Sequence, residues 1–120
     1  MDQLIRGVSE LGIHRIIPLH TRRTVVTLQG DRAEKKLRHW SAIARSAAKQ
    51  CRRAVPLRID PPMDLTDLIS QWEDKESCKL ILWEGEETRD LKDVTREGTS
   101  PGSCTALVGP EGGFATREVE

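Results

Sequence analysis

Thr105-Ala106-Leu107-Val108-Gly109-Pro110-Glu111-Gly112-Gly113 is the stretch from which the rest of the chain can be read. Thr105 to Val108 is short and mostly apolar, as a strand is. It feeds directly into a turn with three glycines. Thr116, followed by Glu118 and Glu120, then reads as the start of a helix. A strand, a glycine turn and a helix start together make a common ligand cradle. Glycines let the backbone approach a ligand and adopt positive φ. The free N–H groups of the turn and helix start can then donate to it. In open parallel sheets ligands sit at the carboxyl ends of strands, which is where this turn falls. It is not a GxGxxG fingerprint, and it lacks the Lys-Ser/Thr of a phosphate-binding loop. The carboxylate of Glu111 would repel a phosphate. It suits a ligand with donors, such as a ribose hydroxyl or an amine, or it ties down the N–H groups of the turn. A Cβ at Gly112 is expected to block the ligand or forbid the backbone angle. The alternative reading is a tight structural turn.

Working back from that turn, strands alternate with helices. Leu4, Ile5, Val8 and Leu11 recur at helical spacing, and Gly12 follows as a C-cap. Ile13 to Leu19 is short and β-branched, and predicts a strand. Thr24 to Leu28 predicts a second extended piece. Asp31 caps a long helix, with Glu34 three residues on as in a capping box. Leu37, Trp40, Ile43, Ala44, Ala47, Ala48 and Cys51 form its apolar stripe. Pro56 to Ile59 is a strand candidate ended by Pro61-Pro62. Asp64 caps a helix that buries Leu65, Leu68, Ile69 and Trp72. Lys79 to Trp83 is an apolar strand. Glu84 to Gly102 is an acidic loop with a short helix. The alternation predicts βαβ units and an α/β fold, with a mainly parallel sheet and flanking helices, over one domain spanning residues 1–120.

The composition is 37% hydrophobic and 32% charged, which excludes a disordered or fibrous chain. No apolar run approaches the roughly 20 residues that span a bilayer. The N-terminus lacks the basic start and apolar stretch of a signal peptide. Cys51, Cys78 and Cys104 are widely spaced and odd in number, which points to neither a disulfide framework nor a zinc site. A reducing cytoplasm is the expected compartment. His14, His20 and His39 lack metal-ligand spacing, and no metal is expected. The neutral net charge conceals an asymmetry. Between Ile13 and Ile59 lie twelve Lys or Arg and two acids, Asp31 and Glu34. The rest of the chain is correspondingly acidic. So dense a basic block usually faces a polyanion. It includes Lys35, Lys36, Arg38, Arg45 and Lys49 on the long helix, with Arg52 at its end, and Arg22, Arg23 and Arg53 in loops. A solvated helix face is the alternative.

An ordered set of motifs carries a resemblance over nearly the whole chain. Ser9-Glu10-Leu11-Gly12-Ile13 resembles T-E-L-G-V. Ile17-Pro18 with Arg23 resembles I-x-P…R, and Arg38 to Ile43 resembles R-W-x-x-I. Ala47-Ala48-Lys49-Gln50-Cys51, then Arg52-Arg53 and Val55-Pro56, resembles A-A-E-Q-[SC]-x-R…V-P. Gly109 to Gly113 matches G-P-E-G-G, the most specific member. These are motifs of the bacterial 16S rRNA uridine N3-methyltransferases, the ribosomal small-subunit methyltransferase E family of the knotted SPOUT superfamily. The chain departs from the pattern at Gly7 and Lys49, where relatives carry Lys and Glu. Ala115 stands where a Ser or Thr cap is usual, with Thr116 as the stand-in. The interval from Gln50 to Pro56 is one residue short, so the family arginine is Arg53 or Arg52.

The resemblance implies methyl transfer from S-adenosylmethionine to the N3 atom of a uridine in 16S rRNA of the small ribosomal subunit. It implies that Leu107, Gly109, Pro110, Glu111, Gly112 and Gly113 hold the cofactor. Arg53 or Arg52, with Gln50 and Arg23, are the candidates to hold the base or its phosphates. Arg53 and Gln50 are the catalytic candidates; Arg22, Arg23, Arg45 and Arg52 are the RNA contacts. Glu111 is a candidate general base, with a structural role in the loop as the alternative. A homodimer is implied as well. Relatives carry an N-terminal barrel domain and a C-terminal segment that threads the trefoil knot. Residues 1–120 are therefore expected to form a partial SPOUT domain, with an incomplete knot and no activity alone. An open edge beside Thr105–Val108 is expected, with Leu107 and Val108 poorly covered. The rival readings are a non-catalytic RNA-binding or assembly module, and a SPOUT methyltransferase acting on another RNA.

Overall fold

In the computed structural model the described residues are 1–23, 30–71, 78–97 and 102–119. The expected extended piece at 24–28 and the burial of Trp72 lie outside them. The chain divides into two units, Met1–His20 with Val26–Asp67, and Thr21–Val25 with Leu68–Glu120.

The first unit is built on α1 (Asp2–Leu11) and α2 (Gly30–Gln50). The alanines and the i, i+3, i+4 spacing of Trp40, Ile43, Ala44, Ala47 and Ala48 give α2 its helical preference and its buried stripe. Asp31 falls inside the first turn and is not the cap, because the helix already begins at Gly30. Ile5, Trp40, Ile43, Ala44, Leu57 and Ile59 form the core, with Val8, Ile16 and Leu37 against it. Full burial of side chains such as Trp40 or Ile43 contributes about 1.5–3 kcal/mol each. On α1 the buried line is not the expected one. Leu4 and Leu11 are 53% and 82% exposed, while Ile5 and Ser9 are enclosed. Ile5 and Ser9 are one turn apart and share a face. Ser9 is accommodated there because its hydroxyl donates to the Ile5 carbonyl at 2.6 Å.

The predicted strand from Ile13 to Leu19 is two short pieces, β1 (Arg15–Ile16) and β2 (Leu19–His20). Their parallel partners are β3 (Arg58–Ile59) and β4 (Met63–Asp64). Prolines explain the split. The amides of Arg58, Asp60 and Met63 donate in turn to the carbonyls of His14, Ile16 and Pro18. The acceptors advance by two residues each time, but the last two donors are three residues apart. Pro61 and Pro62 have no N–H to offer, so the ladder skips and one residue bulges.

Short α3 (Leu65–Ser70) leads on; Leu65 is buried, whereas Ile69, expected inside, is 49% exposed. The second unit holds β5 (Cys78–Leu82), α4 (Leu91–Glu97), β6 (Cys104–Val108) and α5 (Thr116–Val119). β5 and β6 pair in parallel from Cys78↔Cys104 to Leu82↔Val108. Every strand pairing among the described residues is parallel, in three two-stranded pairs instead of one sheet. Side chains alternate along β6. Leu107 is 4% exposed and Val108 68%, so the expected poor cover holds for Val108 and fails for Leu107.

Candidate functional site

β5 and β6 end side by side. Beyond Leu82 and Val108 the backbone opens a cavity of about 440 Å³. Leu82, Trp83 and Glu84 line it on one side; Val108, Gly109, Pro110 and Gly113 line it on the other. Its position at the carboxyl ends of parallel strands is the one where α/β folds bind ligands. The volume is that of a small-molecule site.

The turn is shaped by its glycines. The Gly113 amide donates to the Pro110 carbonyl at 2.8 Å, which closes the turn. Gly113 has φ 67°, and a Cβ built there would overlap Oε1 of Glu84. A Cβ at Gly109 would stand 3.2 Å from the Phe114 ring and 3.3 Å from the Gly113 backbone. At Gly112 the backbone angle does not require glycine. A Cβ there meets nothing nearer than Cδ of Arg23 at 3.5 Å, and its φ is not in the left-handed region. The space-critical glycines are Gly109 and Gly113. Gly112 presents its carbonyl to the Arg23 guanidinium.

Among the described residues, the one ionisable side chain lining the cavity is Glu84, which the sequence reading left in an acidic loop. Its signal was available: an acid directly after an apolar strand that pairs with the strand feeding the glycine turn. Glu111 is exposed and does not line the cavity. Leu107 packs as core below the turn. The start of α5 is held by Glu118, not by Thr116. Its carboxylate accepts from the amides of Arg22 and Ala115, each at 2.8 Å. Those two bonds, Arg22 first, hold the Glu118 carboxyl below its usual range.

The remaining candidates belong to the first unit. Arg45, Lys49, Gln50 and Arg52 are exposed along α2 and its terminal turn. The helix ends with the Arg52 amide donating to Lys49 and the Arg53 amide to Ala48. This is the double bond of a Schellman ending. Its left-handed residue is Arg52, at φ 57°, where glycine is usual. Adjacent Arg53 turns inward. Its guanidinium donates to the carbonyls of Ser9 at 3.0 Å and Gly12 at 3.3 Å.

A further group was not anticipated. Asp60 is 5% exposed. The Nε of Arg15 and the Nε of Arg58 each donate to it at 2.6 Å. Burial pushes its carboxyl up, but the bonds from Arg15 and Arg58 outweigh that and hold it below the usual range. Among the described residues no group of His, Cys, Asp or Glu is arranged to hold a metal ion. No helix there is long and apolar enough to cross a membrane.

The family described as RNA methyltransferase domain matches residues 1–120. The chain is 36% identical over 119 residues to ribosomal RNA small subunit methyltransferase E of Aquifex aeolicus, covering 98% of this chain and 48% of that protein. The crystal structure of ribosomal RNA small subunit methyltransferase E from Neisseria gonorrhoeae, bound to S-adenosyl methionine, superposes with a TM-score of 0.83 at 29% identity. It covers 98% of this chain and 47% of its own. A methyltransferase of Legionella pneumophila with bound SAM superposes at 0.82 and 27% identity, over 99% of this chain and 47% of its own. The chain thus spans about half the length of the relatives it matches.

Proposed function

The chain belongs to the RNA methyltransferase domain family, and from that premise we propose that it serves an S-adenosylmethionine-dependent methylation of 16S rRNA at the N3 atom of a uridine. The observation that carries this is the cavity where β5 and β6 end, walled by the Gly109–Gly113 turn. The residues fit the cofactor. Gly109 and Gly113 lack side chains where a Cβ would strike Phe114 or Glu84. The walls are mostly apolar, and among the described residues Glu84 is the one lining group able to accept hydrogen bonds as a charged carboxylate. It serves the ribose hydroxyls or the amino group of the cofactor. When bound, S-adenosylmethionine supplies an electrophilic methyl group on a cationic sulfur. Pro110 and the turn backbone form one wall of this open pocket.

On the RNA side, uracil N3–H must lose its proton, and the charge spreads over the flanking carbonyls. A positioned cation stabilises that charge. Arg53 and Gln50 are the candidates for this work, with Arg22, Arg23, Arg45 and Arg52 as RNA contacts. The guanidinium of Arg53 is engaged by the end of α1, which favours a positioning role for it. Arg52 points to solvent from a strained backbone, which favours Arg52 as the direct contact. The same reading takes the working protein as a cytoplasmic homodimer on the small ribosomal subunit.

Calorimetry of the complete protein with S-adenosylmethionine tests the cofactor. Nucleoside analysis of treated small subunits for N3-methyluridine tests the reaction. Binding with N3-methyluridine formation is expected. Absence of cofactor binding would leave a non-catalytic RNA-binding module, and methylation at another position would redirect the target. A monomer in light scattering at micromolar concentration would remove the dimer.

A further inference from the structure

We propose that Arg15, Asp60 and Arg58 form a clamp for a backbone phosphate of RNA, separate from the glycine turn. The proposal rests on the reading of this chain as an RNA-binding protein. Arg15 and Arg58 are Cα partners on the parallel strands β1 and β3, so their side chains leave the pair on one face. Between them lies the carboxylate of Asp60, with only 7% of its side chain exposed. Each oxygen takes one arginine. Oδ2 accepts from Nε of Arg15 and also pairs with its Nη2, and Oδ1 accepts from Nε of Arg58.

The guanidiniums are thus held by their inner edges, while their side chains stay 52% and 70% exposed. The bonds to Asp60 use Nε and Nη2 of Arg15 and Nε of Arg58, which leaves Nη1 of Arg15 and both terminal nitrogens of Arg58 outside that contact. One arginine would suffice to neutralise Asp60. The second leaves the trio with a net positive charge on an exposed face. Only donors face outward, and they sit on planar forks of the kind that match phosphate oxygens. Such a group positions a phosphodiester without reading a base. Because Asp60 already orders both side chains, binding loses less conformational freedom than it would with free arginines. The surrounding segment, Ile13 to Ile59, is the basic block of the chain.

The test is anisotropy binding of a labelled 16S rRNA fragment to the complete protein across a salt series. Asp60→Asn removes a negative charge, so general attraction to RNA would tighten binding. The clamp requires weakening, because its arginines lose their anchor. Arg58→Lys keeps the charge and loses the fork, and should weaken binding roughly fivefold, the equivalent of one hydrogen bond. If Asp60→Asn does not fold, judged by its melting, Arg58→Lys decides. Wild-type affinity in Arg58→Lys, or tighter binding by Asp60→Asn, overturns the clamp alone. Failure of the wild type to bind RNA overturns both the clamp and the reading beneath it. Stabilisation of the wild type by inorganic phosphate, lost in Arg58→Lys while RNA affinity stays unchanged, would assign the group to free phosphate and overturn the RNA assignment.

Discussion

Nη2 of Arg53 donates to the Gly12 carbonyl at 3.3 Å, and its Nη1 lies 2.9 Å from where a Cβ on residue 12 would stand. Gly12 ends α1 in the left-handed region at φ 93°. Its amide donates to Ser9 and the next amide to Val8. The side chain from the end of one helix therefore closes the end of another. Gly12→Ala meets both a disfavoured backbone angle and the guanidinium. A loss of about 2 kcal/mol in urea unfolding is expected. Arg53→Lys cannot span both carbonyls and should lose about 1 kcal/mol. Equal stability of Gly12→Ala and wild type would show that Arg53 swings away at no cost.

Arg52 takes the left-handed position of the α2 ending without being glycine. Arg52→Gly relieves that strain, offset by the greater freedom of glycine in the unfolded chain. A net gain of up to about 1 kcal/mol is expected. If the side chain is kept for RNA, the same variant should weaken RNA binding and lower the salt slope by about one. A variant that is more stable and binds RNA as the wild type does would remove Arg52 from the contact surface.

Glu84 is the charged group of the cavity. Glu84→Gln should weaken S-adenosylmethionine binding about tenfold or more, as for the loss of a charge-assisted hydrogen bond. Melting temperature without ligand should barely change, since Glu84 is exposed. Gly113→Ala should abolish binding, because its Cβ displaces the Glu84 carboxylate. Gly112→Ala should be tolerated. Calorimetry on the three variants distinguishes this ranking from a uniform requirement for glycine.

Asp60 makes stability depend on acid. Its carboxyl is held below the usual range in the folded state. The unfolded carboxyl titrates near the ordinary value of about 3.9. The stabilisation is therefore full above that value and is lost as pH falls through the lower folded value. Asp60→Asn should melt below wild type at neutral pH, and the two should converge as the solution is acidified below about pH 4. A constant gap across that window would assign the stability of this group to packing alone.

Local chemistry was enough to read several features from the sequence. The α2 stripe from Leu37 to Ala48, the Gly12 ending and the turn after β6 follow from helical period and glycine, each within a few residues along the chain. So does the α/β alternation, and the motif order from Ser9 to Gly113 carried the family. What the sequence left open depended on partners far along the chain. Whether Leu4 or Ser9 faced inward was decided by where α2 lies against α1. The two-piece strand at Arg15–His20 was decided by Pro61 and Pro62 opposite it, which have no N–H to continue the ladder. Motif spacing alone left the family arginine as Arg53 or Arg52; Ser9 and Gly12, more than 40 residues away, offer their carbonyls to Arg53. Glu84 came to line the cavity only when β5 paired with β6, and Asp60 became an anchor only when Arg15 came beside Arg58. A residue's type states what it can bond, but only tertiary pairing determines which bond leaves no buried charge unpaired.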